Sequence, residues 1–173
     1  FGQKLIFAYT DGKLTKVTSA AGEMHYQYDH DGKLAQVILP DDSIHTYQYA
    51  NGRLESILDT NGTVIVSYSY DTQGRVVHVA GVDGTQATRL IYNGSQTQVT
   101  NEVNNTTDTY EHTLIQGVPK QVSVTDNEGL SETTTYDSQG YPEKMVDKNG
   151  LITLTTYNSR GLLESQTVSA GTA

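Results

Sequence analysis

Residues 68–79 read "YSYDTQGRVVHV", and the fold of the chain turns on what this stretch is. Two tyrosines, Asp71 and Arg75 crowd around Gly74. Taken once, such a cluster fits a sugar-binding or catalytic loop as well as a β-hairpin whose polar residues shape a bend. The rest of the chain decides between them, because the stretch has relatives. Turn glycines fall at Gly12, Gly32, Gly52, Gly74, Gly94, Gly117, Gly140 and Gly161, separated by 20, 20, 22, 20, 23, 23 and 21 residues. A tyrosine stands three or four residues before most of them: Tyr9, Tyr28, Tyr49, Tyr70, Tyr136 and Tyr157. Tyr92 stands two before Gly94. A fixed period of this length is the signature of a repeat architecture.

Apolar residues follow most turn glycines at the second and fifth positions, as in Leu14 and Val17, Leu34 and Val37, Leu54 and Ile57, and Val76 and Val79. A spacing of three puts two residues on opposite faces of a regular strand. Either a bulge after the turn or a strand buried on both sides reconciles the pair. A second turn lies near the middle of each unit, at Gly22, Asp41–Asp42, Gly62, Gly84, Gly129 and Gly150. The unit is therefore strand, turn, strand, turn, and about eight copies span residues 1–173. The fifth and sixth, roughly residues 91–128, are the worn ones.

The strands alternate. In "TVIVSYSY", Val64, Val66, Tyr68 and Tyr70 share one face. Met24, Tyr26 and Tyr28 do so in "EMHYQY", and His45, Tyr47 and Tyr49 in "IHTYQY". Period two over six to eight residues predicts half-buried antiparallel strands. Stacking the hairpins would set the tyrosines in ladders of aromatic cross-strand pairs. Pro119 and Pro142, each two residues after a turn glycine, fit strand beginnings. No segment carries helical periodicity over three turns. The class is all-β.

"DTQG" at Asp71–Gly74, "DSQG" at Asp137–Gly140, "NSRG" at Asn158–Gly161 and "DHDG" at Asp29–Gly32 place Asx first and glycine fourth, the pattern of a type I turn. The Asx side chain accepts backbone N–H groups and the glycine takes the left-handed conformation that closes the hairpin. "ANGR" and "YNGS" offer Asn-Gly, the two-residue hairpin signal.

Together these motifs resemble the YD, or Rhs, repeat, whose usual pattern is roughly Y-D-x-x-G-R-L. Tyr28, Asp29, Gly32 and Leu34 match it, as do Tyr70, Asp71, Gly74 and Arg75, and Tyr136, Asp137 and Gly140. Tyr49, Gly52 and Leu54, like Tyr157 and Gly161, keep the frame without the aspartate. The resemblance implies an extended, curved antiparallel sheet that winds into part of a hollow shell, as in bacterial Rhs toxins, Tc toxin B–C components and teneurins. It implies a non-enzymatic wall segment, an excerpt of a longer secreted or cell-surface protein. Its partners would be the rest of the same polypeptide and an enclosed C-terminal cargo, a toxin in the toxin members. The family's self-cleaving core carries a DPxG motif, and no Asp-Pro occurs here.

Composition narrows the function classes. A net charge of −9 disfavours nucleic acid, which needs clustered lysine and arginine. With no cysteine there is no disulfide, Cys-ligated zinc or thiol nucleophile. No apolar run of about 18 residues is present to span a membrane as a helix. His25, His30, His45, His78 and His112 lack metal-ligand spacing, and the aspartates recur with the turns and not as one catalytic pair. No catalytic, metal or cofactor residue is therefore assigned. The competing expectation is an extracellular module that binds carbohydrate or protein, with its site in the worn units near residues 93–120. Open strands at either end of the array predict edge-to-edge self-association.

Overall fold

The computed structural model describes residues 4–84 and 86–171. It divides into two compact units, residues 1–87 and 88–173. The first holds β1 (Ile6–Thr10), β2 (Lys13–Ser19), β3 (Gly22–Tyr28), β4 (Leu34–Ile38), β5 (Ile44–Ala50), β6 (Arg53–Leu58), β7 (Val64–Tyr70) and β8 (Val76–Gly81). The second holds β9 (Ala87–Asn93), β10 (Gln96–Asn101), β11 (Thr106–Ile115), β12 (Val118–Thr125), β13 (Ser131–Tyr136), β14 (Pro142–Val146), β15 (Leu151–Tyr157) and β16 (Leu163–Ala170). Within each unit every strand pairs antiparallel with its neighbours in chain order, a plain meander. The expected all-β hairpin array is what forms. The helical content among the described residues is one three-residue 3₁₀ turn, Val82–Gly84, and no helix is long and apolar enough to cross a membrane.

The bulge is the correct resolution of the second-and-fifth-position spacing. Tyr28 faces Leu34 while Gln27 faces Gln36, so Ala35 is the extra residue. The same slip occurs between Gln48 and Tyr49, Ser69 and Tyr70, Thr135 and Tyr136, and Thr156 and Tyr157. One added residue after the turn reverses the alternation. Leu34 then shares a face with Val37, and Leu54 with Ile57. Val37 in turn faces Tyr26 and Ile57 faces Tyr47. Tyrosines and aliphatic residues thus gather on one face. Gln27, Gln36, Gln48, Ser56 and Ser67 gather on the other.

Neither face is sealed. Among the described residues Val37, 4% exposed, is the one buried hydrophobic side chain. A β-sheet buries its apolar face by packing another layer on it, and within each unit no second layer is present. Cover comes instead from neighbouring strands of the same sheet, whose long side chains lie along its surface. That makes the contacts between hairpins the main source of order.

Two expectations need correction. Ring-on-ring cross-strand tyrosine pairs were expected. The register instead sets Tyr28 opposite Leu34, Tyr49 opposite Leu54, Tyr70 opposite Val76, Tyr136 opposite Pro142 and Tyr157 opposite Leu163. Each tyrosine sits on the first strand of its hairpin, so the next one lies two strands away, about 9.6 Å at the usual spacing. The Asn-Gly signal holds at Asn51–Gly52, where both residues have positive φ, 50° and 79°, between paired Ala50 and Arg53. At "YNGS" the turn moves on by one. Asn93 is paired with Gln96, leaving Gly94–Ser95 as the loop, with Gly94 at φ 61° in the first central position. A single leading glycine of this kind suits the type II′ hairpin.

Candidate functional site

Four hairpins meet the one before them through a recurring contact. The Tyr28 hydroxyl donates to the backbone oxygen of Leu14 at 2.9 Å, Tyr49 to Leu34 at 3.0 Å, and Tyr70 to Leu54 at 2.6 Å. In the second unit Tyr136 donates to Gln121 at 2.8 Å. Each phenol therefore reaches back into the preceding hairpin, at Leu14, Leu34 and Leu54 to the second residue past the turn glycine and at Gln121 to the fourth. Burial holds the Tyr49 hydroxyl above its ordinary pKa, with the Asp29 charge adding to the effect. It stays a donor across the whole physiological range.

A cation from the preceding hairpin lies over the same ring. Lys13 Nζ stands 4.9 Å from the Tyr28 centroid, Lys33 Nζ 5.2 Å from Tyr49, Arg53 Cζ 5.7 Å from Tyr70, and Lys120 Nζ 5.7 Å from Tyr136. Cation–π contacts at such half-exposed sites stabilise by about 0.5–1 kcal/mol. The cation runs on to the turn glycine of the following hairpin. A Cβ on Gly32 would meet Lys13 Nζ at 2.6 Å, and one on Gly74 would meet Arg53 Cζ at 2.8 Å. Glycine at position 74 suits its φ of 84°, and the flexible end of Arg53 lies where a Cβ would stand. Near the end of the chain Tyr141 takes the cation's place. It stacks on Tyr157 with centroids 4.9 Å apart, and its hydroxyl abuts Gly161.

The turns hold these parts in position. Asp71 Oδ1 accepts the N–H groups of Gln73 and Arg75, each at 2.9 Å, while the Gly74 N–H donates to the Asp71 carbonyl at 3.0 Å. Asp137 and Asn158 repeat the pattern, and at Asp29 the Lys33 N–H donates to Oδ1 at 2.8 Å. The mid-unit turns are built the same way. Asp59, Asp126 and Asp147 each accept two backbone N–H groups. One loop chemistry serves both ends of the hairpin.

Arg75 makes an exposed 2.8 Å ion pair with Asp71 on its own turn. Lys148 reaches Asp126 at 2.9 Å and so ties the turn after β14 to the turn after β12. Backbone donation from Arg75 leads in holding the Asp71 carboxyl below its usual range, and Lys148 leads for Asp126. A carboxylate with a depressed folded-state pKa contributes stability that is present above its unfolded pKa, about 4, and is lost as pH falls through the folded value. The expected thermal midpoint is therefore flat between about pH 5 and 7 and drops below about pH 4. Asp71→Asn with Asp126→Asn should flatten the drop in circular-dichroism melts across that range, and an unchanged acid limb would count against this role.

The structure places every repeat-motif residue named from the sequence in a turn or beside it. Tyr28, Asp29, Gly32 and Leu34 come together as one hairpin end, as do Tyr49, Gly52 and Leu54, Tyr70, Asp71, Gly74 and Arg75, Tyr136, Asp137 and Gly140, and Tyr157 and Gly161. Sequence reasoning missed the link across hairpins. Lys13, Lys33 and Arg53, each one residue after a turn glycine, cover tyrosines of the following hairpin. A signal was available: each precedes its tyrosine by 15 to 17 residues in step with the repeat. Among the described residues no three His, Cys, Asp or Glu side chains are grouped to hold a metal ion.

Residues 9–44 and 46–86 match the family model described as RHS Repeat. Over those residues, a little under half of the chain, it carries Rhs repeats. The Rhs matches fall within the first unit, where tyrosine doublets such as Tyr26–Tyr28 and Tyr47–Tyr49 persist. In the second unit Thr134 and Thr155 stand at the corresponding doublet positions. The fold likeness extends further. The crystal structure of TcdB2-TccC3-TEV is matched with a TM-score of 0.58 at 15% identity, over 96% of this chain and 11% of that one. TcdB2-TccC3-Cdc42 gives 0.57 at 14% identity and TcdB2-TccC3 gives 0.55 at 15%, each over 95% of this chain and 11% of the other. The chain thus spans about a ninth of the length of those chains and shares their local fold. No curated protein matches.

Proposed function

We propose that the chain is a length of wall in an Rhs shell, a single array of hairpins over residues 1–173 that helps enclose a polypeptide cargo carried on the same long protein. The observation that carries this reading is the interhairpin contact described above, combined with a sheet whose apolar face has no second layer. A domain built around a binding or catalytic site needs a sealed core to fix that site. A wall needs only neighbours that hold each other in series. The tyrosine face, half-covered and with aliphatic residues between its rings, suits contact with unfolded chain. The reading requires no active site and places the protein outside the producing cell or on its surface, as expected of the Tc toxin structures it resembles. Because net charge is −9, the wall would also resist nonspecific nucleic-acid binding.

The test uses the complete protein that contains this segment. Its C-terminal cargo should resist added protease in the native protein. It should become cleavable when Tyr28, Tyr49 and Tyr70 are changed together to alanine. Equal cleavage of the cargo in both proteins would overturn the enclosure reading.

One observation favours a recognition module as the second reading. Tyr26, Tyr47 and Tyr68 recur on the same face, and their hydroxyls have no hydrogen-bond partner among the described residues. The worn region also has a shallow depression, lined by Gly94, Ser95, His112, Thr113, Leu114 and Pro119. Saturable binding on a glycan array, lost on His112→Ala, would favour this reading over the wall.

A further inference from the structure

One hairpin in the interior of the array runs longer at its turn than its relatives. Across the bulge of β11–β12, His112 pairs with Gln121, nine positions on, whereas Tyr28 and Leu34, Tyr70 and Val76, and Tyr136 and Pro142 are six apart. Thr113 with Lys120, Leu114 with Pro119 and Ile115 with Val118 then carry this end of the hairpin past the repeat frame. One flank of the extension is braced. Gln116 Nε2 donates to the Ser138 carbonyl at 2.8 Å, and Ile115 Cγ2 lies 3.7 Å from where a Cβ on Gly140 would stand. The other flank is open. The His112 N–H donates to the Ser95 carbonyl at 2.9 Å, but the β9–β10 hairpin closes there, at Asn93 and Gln96. Among the described residues no strand lies beside β11 beyond that point.

Backbone groups point to alternate sides along a strand, so Leu114, two residues past His112, turns its N–H and C=O to the same open flank. Its partner fits this direction: Pro119 has no N–H to exchange across the hairpin. Leu114 is 69% exposed, and its backbone N–H and C=O have no partner among the described residues. Its side chain shares a face with Tyr110 and His112 and borders the depression formed with Gly94, Ser95 and Pro119. That hollow, of about 620 Å³, falls in the ordinary range for ligand pockets, and no charged side chain lines it. An unpaired N–H and C=O beside an apolar hollow are what an added strand recognises, the first through its main chain and the second through a side chain. We infer that an extended segment of the enclosed cargo docks on Leu114 as such a strand and sets an aliphatic side chain in the hollow. The inference rests on the wall reading. Two hydrogen bonds and one side chain hold a free peptide weakly. A segment carried on the same long protein meets the edge at an effective concentration on the order of mM, where weak contacts suffice.

The complete protein that contains this segment tests it. The photo-crosslinking residue p-benzoylphenylalanine is placed at Leu114 or, as a control, at Val118 on the other face of the same hairpin end. Illumination and peptide mass spectrometry should join position 114 to one stretch of the cargo, at an aliphatic residue, and should join position 118 to none of it. In the unsubstituted protein the Leu114 amide should exchange in heavy water about tenfold more slowly than an unstructured amide, because no described residue of the segment accepts its N–H. Protease protection of the cargo is read in the same samples. Protected cargo with no crosslink from position 114, or with one to any part other than the cargo, would overturn the docking and leave the wall standing. So would a Leu114 amide that exchanges freely, a measurement that decides the matter if the probe itself disturbs the fold. Cargo open to protease in the unsubstituted protein would overturn the wall and this inference with it.

Discussion

Tyr70→Ala is expected to lower the unfolding free energy by about 2–4 kcal/mol, near the lower part of the range for removing a large aromatic side chain from a packed site. The change strips three things at once: the hydrogen bond to Leu54, the platform under Arg53, and the cover the ring gives to the adjacent strands. Tyr70→Phe separates them. It keeps ring and cation and removes only the hydroxyl, so it should cost about 0.5–1.5 kcal/mol, the net worth of one hydrogen bond. Urea unfolding of the three proteins measures both differences. In a serial array the damage should also be local, because each hairpin is stabilised by its immediate neighbours. Equal, small losses for both variants would mean the ring contributes little beyond its hydroxyl.

A second large effect is expected at Gly74. An alanine there must adopt a φ of 84°, which costs roughly 1–2 kcal/mol for an L-residue. It must also push the Arg53 guanidinium off the glycine and away from the Tyr70 ring. Gly52 provides the control. Its φ is 79°, almost the same strain, yet nothing lies within 4 Å of where its Cβ would be. Gly74→Ala should therefore be the more destabilising of the two by about the value of one exposed cation–π contact, 0.5–1 kcal/mol. The excess should vanish when Arg53→Ala is already present. Equal losses at both glycines, measured by the same unfolding titration, would remove the guanidinium from the account.

These residues also mark how far the sequence could be followed. Backbone needs were legible because they are local. All eight turn glycines chosen from spacing have positive φ, from 61° at Gly94 to 86° at Gly140. Asp71, Asp137 and Asn158 make the side-chain-to-backbone bonds that an Asx-first turn requires. The bulge was foreseeable as one of two solutions to the spacing between Leu34 and Val37, and the register chose it. What local reasoning could not supply was the partner of each tyrosine. Tyr49 donates to Leu34 and lies under Lys33, residues whose proximity depends on how one hairpin registers on the next. Alternation fixes a face, not an opposite number two strands away. The "YNGS" turn failed for a related reason: Asn93 was recruited into pairing with Gln96, and tertiary pairing overrode the local Asn-Gly preference.

The wear of the second unit has a physical side as well. Where Thr134 and Thr155 stand at doublet positions, and Tyr141 replaces a cation on Tyr157, the contact survives with different chemistry. Stacked rings at 4.9 Å serve the purpose that a lysine serves over Tyr28. The shared requirement is a flat aromatic face covered from the preceding hairpin, and more than one side chain meets it.

The central claim is that a tyrosine and the cation before it bind one hairpin to the next, as at Tyr28, Tyr49, Tyr70 and Tyr136. A double-mutant cycle on Arg53 and Tyr70 tests it most directly, using Arg53→Ala, Tyr70→Leu and the pair in urea unfolding. The predicted result is a favourable coupling of about 0.5–1 kcal/mol between residues 17 positions apart in sequence. Strict additivity of the two substitutions would contradict it.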